Sequence, residues 1–146
     1  MQDFFIYERQ IQFGDTDAVG IVYTVRFFDY CMEAIDAWQR RYLNIDWFDM
    51  VDKKRIGTPI VNINMTMSGP LARGKAYITL LITRVGNSSV IFRLLGRDED
   101  GNDSFEADFT YCLTDSTYFK PIPIPGQFRP VMENYCRLCQ DSLAAE

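Results

Sequence analysis

The stretch Gly14-Asp15-Thr16-Asp17-Ala18-Val19-Gly20-Ile21-Val22-Tyr23 follows neither a strand period nor a helix period. It sets two carboxylates two positions apart, just ahead of a helical pattern that begins at Thr24. Two readings of this spacing stay open. In one, Asp15 and Asp17 close Asx turns and sit favourably at the positive end of the helix dipole. In the other, the unpaired backbone N–H groups of the first helical turn, near Thr24, bind a carbonyl oxygen while a carboxylate attacks it or activates water. An aspartate with an ordinary pKa of about 4 is a weak base at neutral pH, so the second reading suits a carbonyl that is already electrophilic. A thioester is such a group, and its thiolate leaves without help from an acid. Asp17 then serves as nucleophile, through a mixed anhydride, or as general base for water, and the residue types do not separate the two roles.

Composition narrows the chemistry further. The 146 residues include no histidine, which removes Ser-His-Asp hydrolysis, Cys-His proteolysis, His-ligated zinc and His-carboxylate dehydration. Lys and Arg number 15 against 20 Asp and Glu, a formal charge of −5, so no nucleic-acid partner is expected. Cysteines stand at 31, 112, 136 and 139. The pair Cys136-Arg-Leu-Cys139 falls late in a helical stretch rather than where a strand feeds a helix, and no second CxxC accompanies it. We read all four as ordinary reduced thiols, with no metal site. Met1-Gln2-Asp3 lacks the charged start of a secretory signal, and no apolar run approaches the roughly 18 residues of a membrane span, so the expectation is a soluble cytoplasmic protein with no membrane partner.

The elements that must hold the loop show in the hydrophobic period. Phe5, Tyr7, Ile11 and Phe13 alternate with Glu8, Gln10 and Gln12, predicting a half-buried strand over 5–13. From Thr24, an N-cap candidate, to about Tyr42, charges recur as Arg26, Asp29, Glu33, Asp36 and Arg40, with Phe27, Cys31, Ile35, Trp38 and Tyr42 opposite: a central core helix. A short helical turn is expected around 46–52. The period then returns to two in Ile63, Met65, Met67, in Ile78, Leu80, Ile82, in Val90 to Leu95, and in Phe105 to Leu113. Gly69-Pro70, Arg73-Gly74, Gly86-Asn87 and Asp100-Gly101 separate these runs as turns. Pro121, Pro123 and Pro125 make an extended segment, and Phe128 to about Gln140 a closing helix. The order predicts one α+β domain over 1–146, with a long helix against a single curved antiparallel sheet of about five strands. One helix leaves an edge strand and part of a face uncovered, which favours edge-to-edge dimerisation.

Phe13-Gly-Asp-Thr-Asp-Ala-Val-Gly-Ile-Val-Tyr23, Arg26-Phe-Phe-Asp-Tyr30 and Ile56-Gly-Thr-Pro-Ile-Val61 together resemble the 4-hydroxybenzoyl-CoA thioesterase family of hot-dog-fold proteins, in its Asp-in-loop branch. The likeness in order runs from about Tyr7 to Cys136. It implies an acyl-CoA thioesterase with Asp17 as the catalytic carboxylate, Asp15 shaping the loop, and the Thr24 backbone N–H polarising the thioester carbonyl. Gly20 would permit a close chain path, Tyr23, Phe27 and Phe28 would floor an acyl pocket suited to a benzoyl-type group, and Thr58 would reach the site from a neighbouring subunit. A homodimer or homotetramer is implied, with no metal and no cofactor beyond the coenzyme A of the substrate.

The hairpin that carries CoA-binding cations in this family reads Arg84-Val-Gly-Asn-Ser-Ser89, with one cation only; Arg73, Lys75 and Lys120 are the other basic candidates, and Arg84 is the one assigned a CoA contact. A 1,4-dihydroxy-2-naphthoyl-CoA thioesterase is the alternative within the class. A non-catalytic module that binds acyl-CoA or acyl-carrier protein is the alternative outside it. The dehydratase branch of the fold needs a catalytic histidine that this chain lacks.

Overall fold

A computed structural model describes residues 4–144. Met1 to Asp3, read above for their want of a secretory start, lie outside the described residues. Five strands, β1 Phe5–Gln10, β3 Ile60–Met67, β4 Lys75–Val85, β5 Ser89–Arg97 and β6 Asp103–Cys112, form one antiparallel sheet in the order β1-β4-β5-β6-β3. Helix α1, Thr24–Tyr42, packs on one face of it. Phe27 stacks on Phe105 at 5.1 Å, and Trp38 packs edge-on against Phe92 at 5.9 Å. Trp38, Tyr30, Ile35, Phe92, Phe109 and Tyr111 are fully buried between the two layers. This is the hot-dog arrangement.

The helix bounds match the charge pattern, but its cap does not. Thr24 is the first helical residue, Tyr23 occupies the N-cap in an extended conformation, and no side chain caps the turn. Helix α2, Trp47–Lys54, starts where Asp46 accepts the Asp49 N–H at 2.8 Å, an Asx cap. Strand β1 stops at Gln10 rather than running to Phe13. The Asp15 carboxylate takes the Gln12 N–H at 2.9 Å and draws Phe13–Asp15 into a 3-10 turn, leaving the Phe13 ring 95% exposed.

Two features fall outside the sequence expectation. A small ribbon pairs β2, Ile56–Gly57, with β7, Thr114–Asp115. The closing helix α3, Arg129–Ala144, continues past Gln140 and has a structural task. The β1 to β4 ladder ends at Phe5 opposite Leu80, and α3 covers the rest of that edge. There the Tyr135 hydroxyl donates to the Leu80 carbonyl at 2.6 Å and accepts the Phe5 N–H at 2.9 Å. Cys136 and Cys139 lie buried on α3, and all four cysteines are unpaired. The proline segment is extended: Ile122 and Ile124, which keep their N–H groups, donate to the Leu113 and Asn87 carbonyls at 2.9 Å each. Among the described residues no helix is long and apolar enough to cross a membrane.

Candidate active site

The loop from Gly14 to Tyr23 is a closed hairpin. Thr16 bridges to Val22, the Asp17 N–H donates to the Ile21 carbonyl at 2.9 Å, and the Gly20 N–H returns to the Asp17 carbonyl at 3.0 Å. Gly20 has φ of +90°, and a Cβ built on it would meet nothing within 4 Å. Glycine is required here for its left-handed backbone, not for the close chain path expected of it.

The two carboxylates differ sharply. Asp15 is 4% exposed and its oxygens are occupied: Oδ2 accepts the Tyr30 hydroxyl and the Gln12 N–H, each at 2.9 Å, and Arg9 at 3.2 Å, while Arg26 Nε lies 3.6 Å from Oδ1. Asp17 is exposed, with Oδ1 accepting the Val19 N–H at 2.9 Å. This is an Asx turn, as the first reading of the spacing expects. It fixes one oxygen and leaves the carboxylate in solvent, free to act.

Helix α1 begins directly after the loop. The Arg26 N–H bonds the Tyr23 carbonyl at 2.9 Å, and with no side-chain cap the Thr24 and Val25 N–H groups have no partner within the helix. An uncapped helix start reached directly from a loop with an exposed carboxylate has the chemistry to donate to an oxyanion.

One flank of α1 is closed and the other is open. Toward β1, Arg9 donates to Glu33 at 2.7 Å, and Glu33 also accepts the Tyr7 hydroxyl at 2.9 Å. Burial first, then this bond to Glu33, pushes the Tyr7 hydroxyl up to about 12. Sequence reasoning passed over Arg9. Its signal was a cation at an inward position of the β1 alternation, between Tyr7 and Ile11. Toward β3, the strand pairs Ile63, Met65 and Met67 opposite the buried Phe109, Ala107 and Phe105, so these three side chains share the core face. Yet Ile63 is 42% and Met67 46% exposed, because β3 is the sheet edge. On α1, Val25 is exposed and the half-buried Phe28 stands 6.3 Å from Phe109, so this side of the molecule carries an uncovered apolar edge.

The remaining predicted residues are dispersed. Tyr23 is half-buried under the Arg26 guanidinium, 5.3 Å away, at the helix start. Phe27 is 5% exposed and fills the core, so Phe28 rather than Phe27 keeps part of its side chain at the surface. Thr58 accepts the Trp47 indole N–H at 2.7 Å, just before β3 begins. The Asp17 loop lies beyond the other end of β3, where the Val22 N–H reaches the Leu71 carbonyl at 2.7 Å. Eight residues of strand, roughly 26 Å, intervene. Arg84 is exposed at the far end of β4, bordering a depression with Cys136 and Arg137. Within one chain, neither Thr58 nor Arg84 meets Asp17.

Comparison with known proteins gives a consistent picture. Residues 11–132 match the description "Thioesterase-like superfamily". A solved structure of a thioesterase-superfamily protein from Jannaschia sp. superposes with a TM-score of 0.84 at 30% identity, covering 92% of this chain and 97% of that one. Two relatives are named 1,4-dihydroxy-2-naphthoyl-CoA hydrolase. The protein from Crocosphaera subtropica is 30% identical over 105 residues, 71% of this chain and 76% of its own. The one from Synechocystis sp. is 29% identical over 82 residues, 55% of this chain and 58% of its own, so the match spans little more than half that relative. These names carry a fused-ring acyl group where the sequence resemblance implied a 4-hydroxybenzoyl one.

Proposed function

The chain belongs to the thioesterase-like superfamily, and from that membership we propose that it is an acyl-CoA thioesterase, cleaving the substrate to free acid and CoA. The observation that carries the reading is the exposed Asp17 carboxylate in the hairpin that runs directly into the uncapped start of α1. The Thr24 N–H binds the thioester carbonyl oxygen and stabilises the oxyanion as it forms. Asp17 either attacks the carbonyl carbon itself, giving a mixed anhydride that water then opens, or takes a proton from water as the hydroxide adds. In both routes the C–S bond breaks and CoA leaves as the thiolate. Gly20 supplies the turn that aims Asp17, and Tyr23 covers the helix mouth. Coenzyme A enters as part of the substrate, and no metal or cofactor is assigned a step.

The acyl group lies along the apolar edge formed by β3 and α1, which suits an aromatic acyl chain. The names of the relatives make 1,4-dihydroxy-2-naphthoyl-CoA the first candidate and a 4-hydroxybenzoyl-type ester the second. A second copy completes the site. When two β3 edges pair antiparallel, the start of one strand meets the end of the other, and Thr58 of the partner subunit comes to the Asp17 end. Arg84 contacting CoA from the partner would follow from the same pairing. A panel of aryl- and alkyl-CoA esters, followed by release of free thiol, tests the reading. Turnover highest on the aryl esters is the expected result. Tight binding of these esters without hydrolysis would point instead to a non-catalytic acyl-CoA module.

A further inference from the structure

Asp15 touches both halves of the proposed site. Its main-chain carbonyl accepts the Tyr23 N–H at 3.2 Å, at the mouth of α1, and its side chain binds Gln12 at the start of the loop and Tyr30 inside α1. The hydrogen bonds among Asp17, Val19, Gly20 and Ile21 set the shape of the hairpin. They do not set how far the hairpin stands from the helix. Asp15 does, together with the Val22 to Leu71 bond.

We propose that Tyr30 and Arg9 are positioning residues for thioester hydrolysis, holding Asp15 so that the Asp17 carboxylate keeps a fixed place relative to the free N–H groups of α1. The inference rests on the function proposed above and names how that same site is kept in register. Tyr30 is fully buried and its hydroxyl has a single acceptor in reach, Asp15 at 2.9 Å. Burial, and then the bond to Asp15, pushes its ionisation upward, so it stays a donor across the working pH range. Arg9 covers the Tyr30 ring, its guanidinium carbon 4.9 Å from the centroid, and its Nε is tied to Glu33 at 2.7 Å. Glu33 is in turn held by Tyr7 at 2.9 Å. The charge on Asp15 is therefore gripped from β1 and from α1 together. A displacement of about 1 Å between a catalytic group and its target lowers rates by up to about a hundredfold, so the grip matters to chemistry as well as to folding.

The test is Tyr30→Phe, which removes one oxygen and keeps the ring under Arg9, made in the wild-type and in the Asp17→Asn background. Loss of one hydrogen bond to a charged group predicts that kcat falls about tenfold with KM nearly unchanged. In the Asp17→Asn protein the same change lowers the residual turnover by less than about twofold, since Tyr30 acts only through Asp17. Hydrogen exchange gives a readout independent of activity: the Val19, Gly20 and Tyr23 amides exchange faster in Tyr30→Phe while those inside α1 keep their protection. Arg9→Lys keeps the charge but loses the fork that spans Asp15 and Glu33, and gives the same pattern. An equal fall in both backgrounds, or a general rise in exchange, would mark Tyr30 as merely structural and overturn the proposal. If Asp17→Asn is slow while Tyr30→Phe matches wild type, the positioning role alone fails. If Asp17→Asn matches wild type, the reading of the site fails and takes the proposal with it.

Discussion

Asp15 and Asp17 share a loop and a side-chain chemistry, and almost nothing else. Asp15 is enclosed by two arginines, a tyrosine hydroxyl and a backbone N–H. Asp17 stands in solvent with one oxygen on the Val19 amide. A buried carboxylate with three hydrogen bonds on one oxygen and a guanidinium 3.6 Å from the other has little left to offer a substrate. One held at a single oxygen keeps its nucleophilic electrons and a fixed direction. The difference separates scaffold from chemistry more sharply than residue type does, and the two flanks of α1 repeat it. The β1 flank is closed by Arg9, Glu33 and Tyr7, and the β3 flank leaves Val25, Phe28, Ile63 and Met67 without a cover.

Substitutions that exchange the fates of the two sides test this contrast. The largest effect is expected at Asp15→Ala, which strands the Tyr30 hydroxyl and the Gln12 N–H and leaves Arg9 and Arg26 without their shared anion. Removal of one partner from such a buried pair predicts a loss of about 3 kcal/mol, and a fall in Tm of roughly 10 °C for a chain this size. Thermal unfolding measures it, and an unchanged Tm would dissolve the distinction between the two aspartates. Next is the open flank. Met65→Lys places a charge on the core face of the edge strand, and it is expected to shift the dimer proposed above to monomer in sedimentation while lowering turnover at least about tenfold. Full activity in a monomer would remove the partner from the site.

The smallest effect lies on the closed flank at alkaline pH. Tyr7 ionises at about 12 in the folded chain against an ordinary value of about 10. Between those values the unfolded chain has lost a proton that the folded chain keeps, so stability falls as pH rises through that window and is whole below it. Tyr7→Phe should flatten that fall in denaturant titrations, and an identical slope would show that burial and Glu33 do not hold the hydroxyl protonated.

Much of this was legible in the residues. The charges of α1 recur in steps of three and four, and the helix runs Thr24–Tyr42 as that pattern requires. The alternation of Ile63, Met65 and Met67 with asparagine and threonine gives the facing of β3 correctly. What periodicity cannot say is whether a face is covered, because cover comes from elements distant in sequence. The uncovered apolar edge therefore became visible only once β3 proved to be the end strand of the sheet. Phe27 and Phe28 show the same limit: adjacent residues lie about 100° apart on a helix, and only the placement of Phe105 and Phe109 decides which ring is core. The β2 to β7 ribbon, two residues on each side, leaves no periodic trace. Asp15 and Asp17 were both seen as chemistry-bearing. The resemblance implied their division of labour; its physical basis, Arg9 of β1 with Arg26 and Tyr30 of α1, comes together only in the fold.

The central claim is that Asp17 carries out the chemistry and Asp15 does not. The most direct measurement is kcat of Asp17→Asn on the best aryl-CoA ester, taken with its Tm. The charge is removed while the Asx turn can still form, so Tm should stay within about 1 °C of wild type, while kcat should fall by at least about a hundredfold. Turnover equal to wild type would contradict the account.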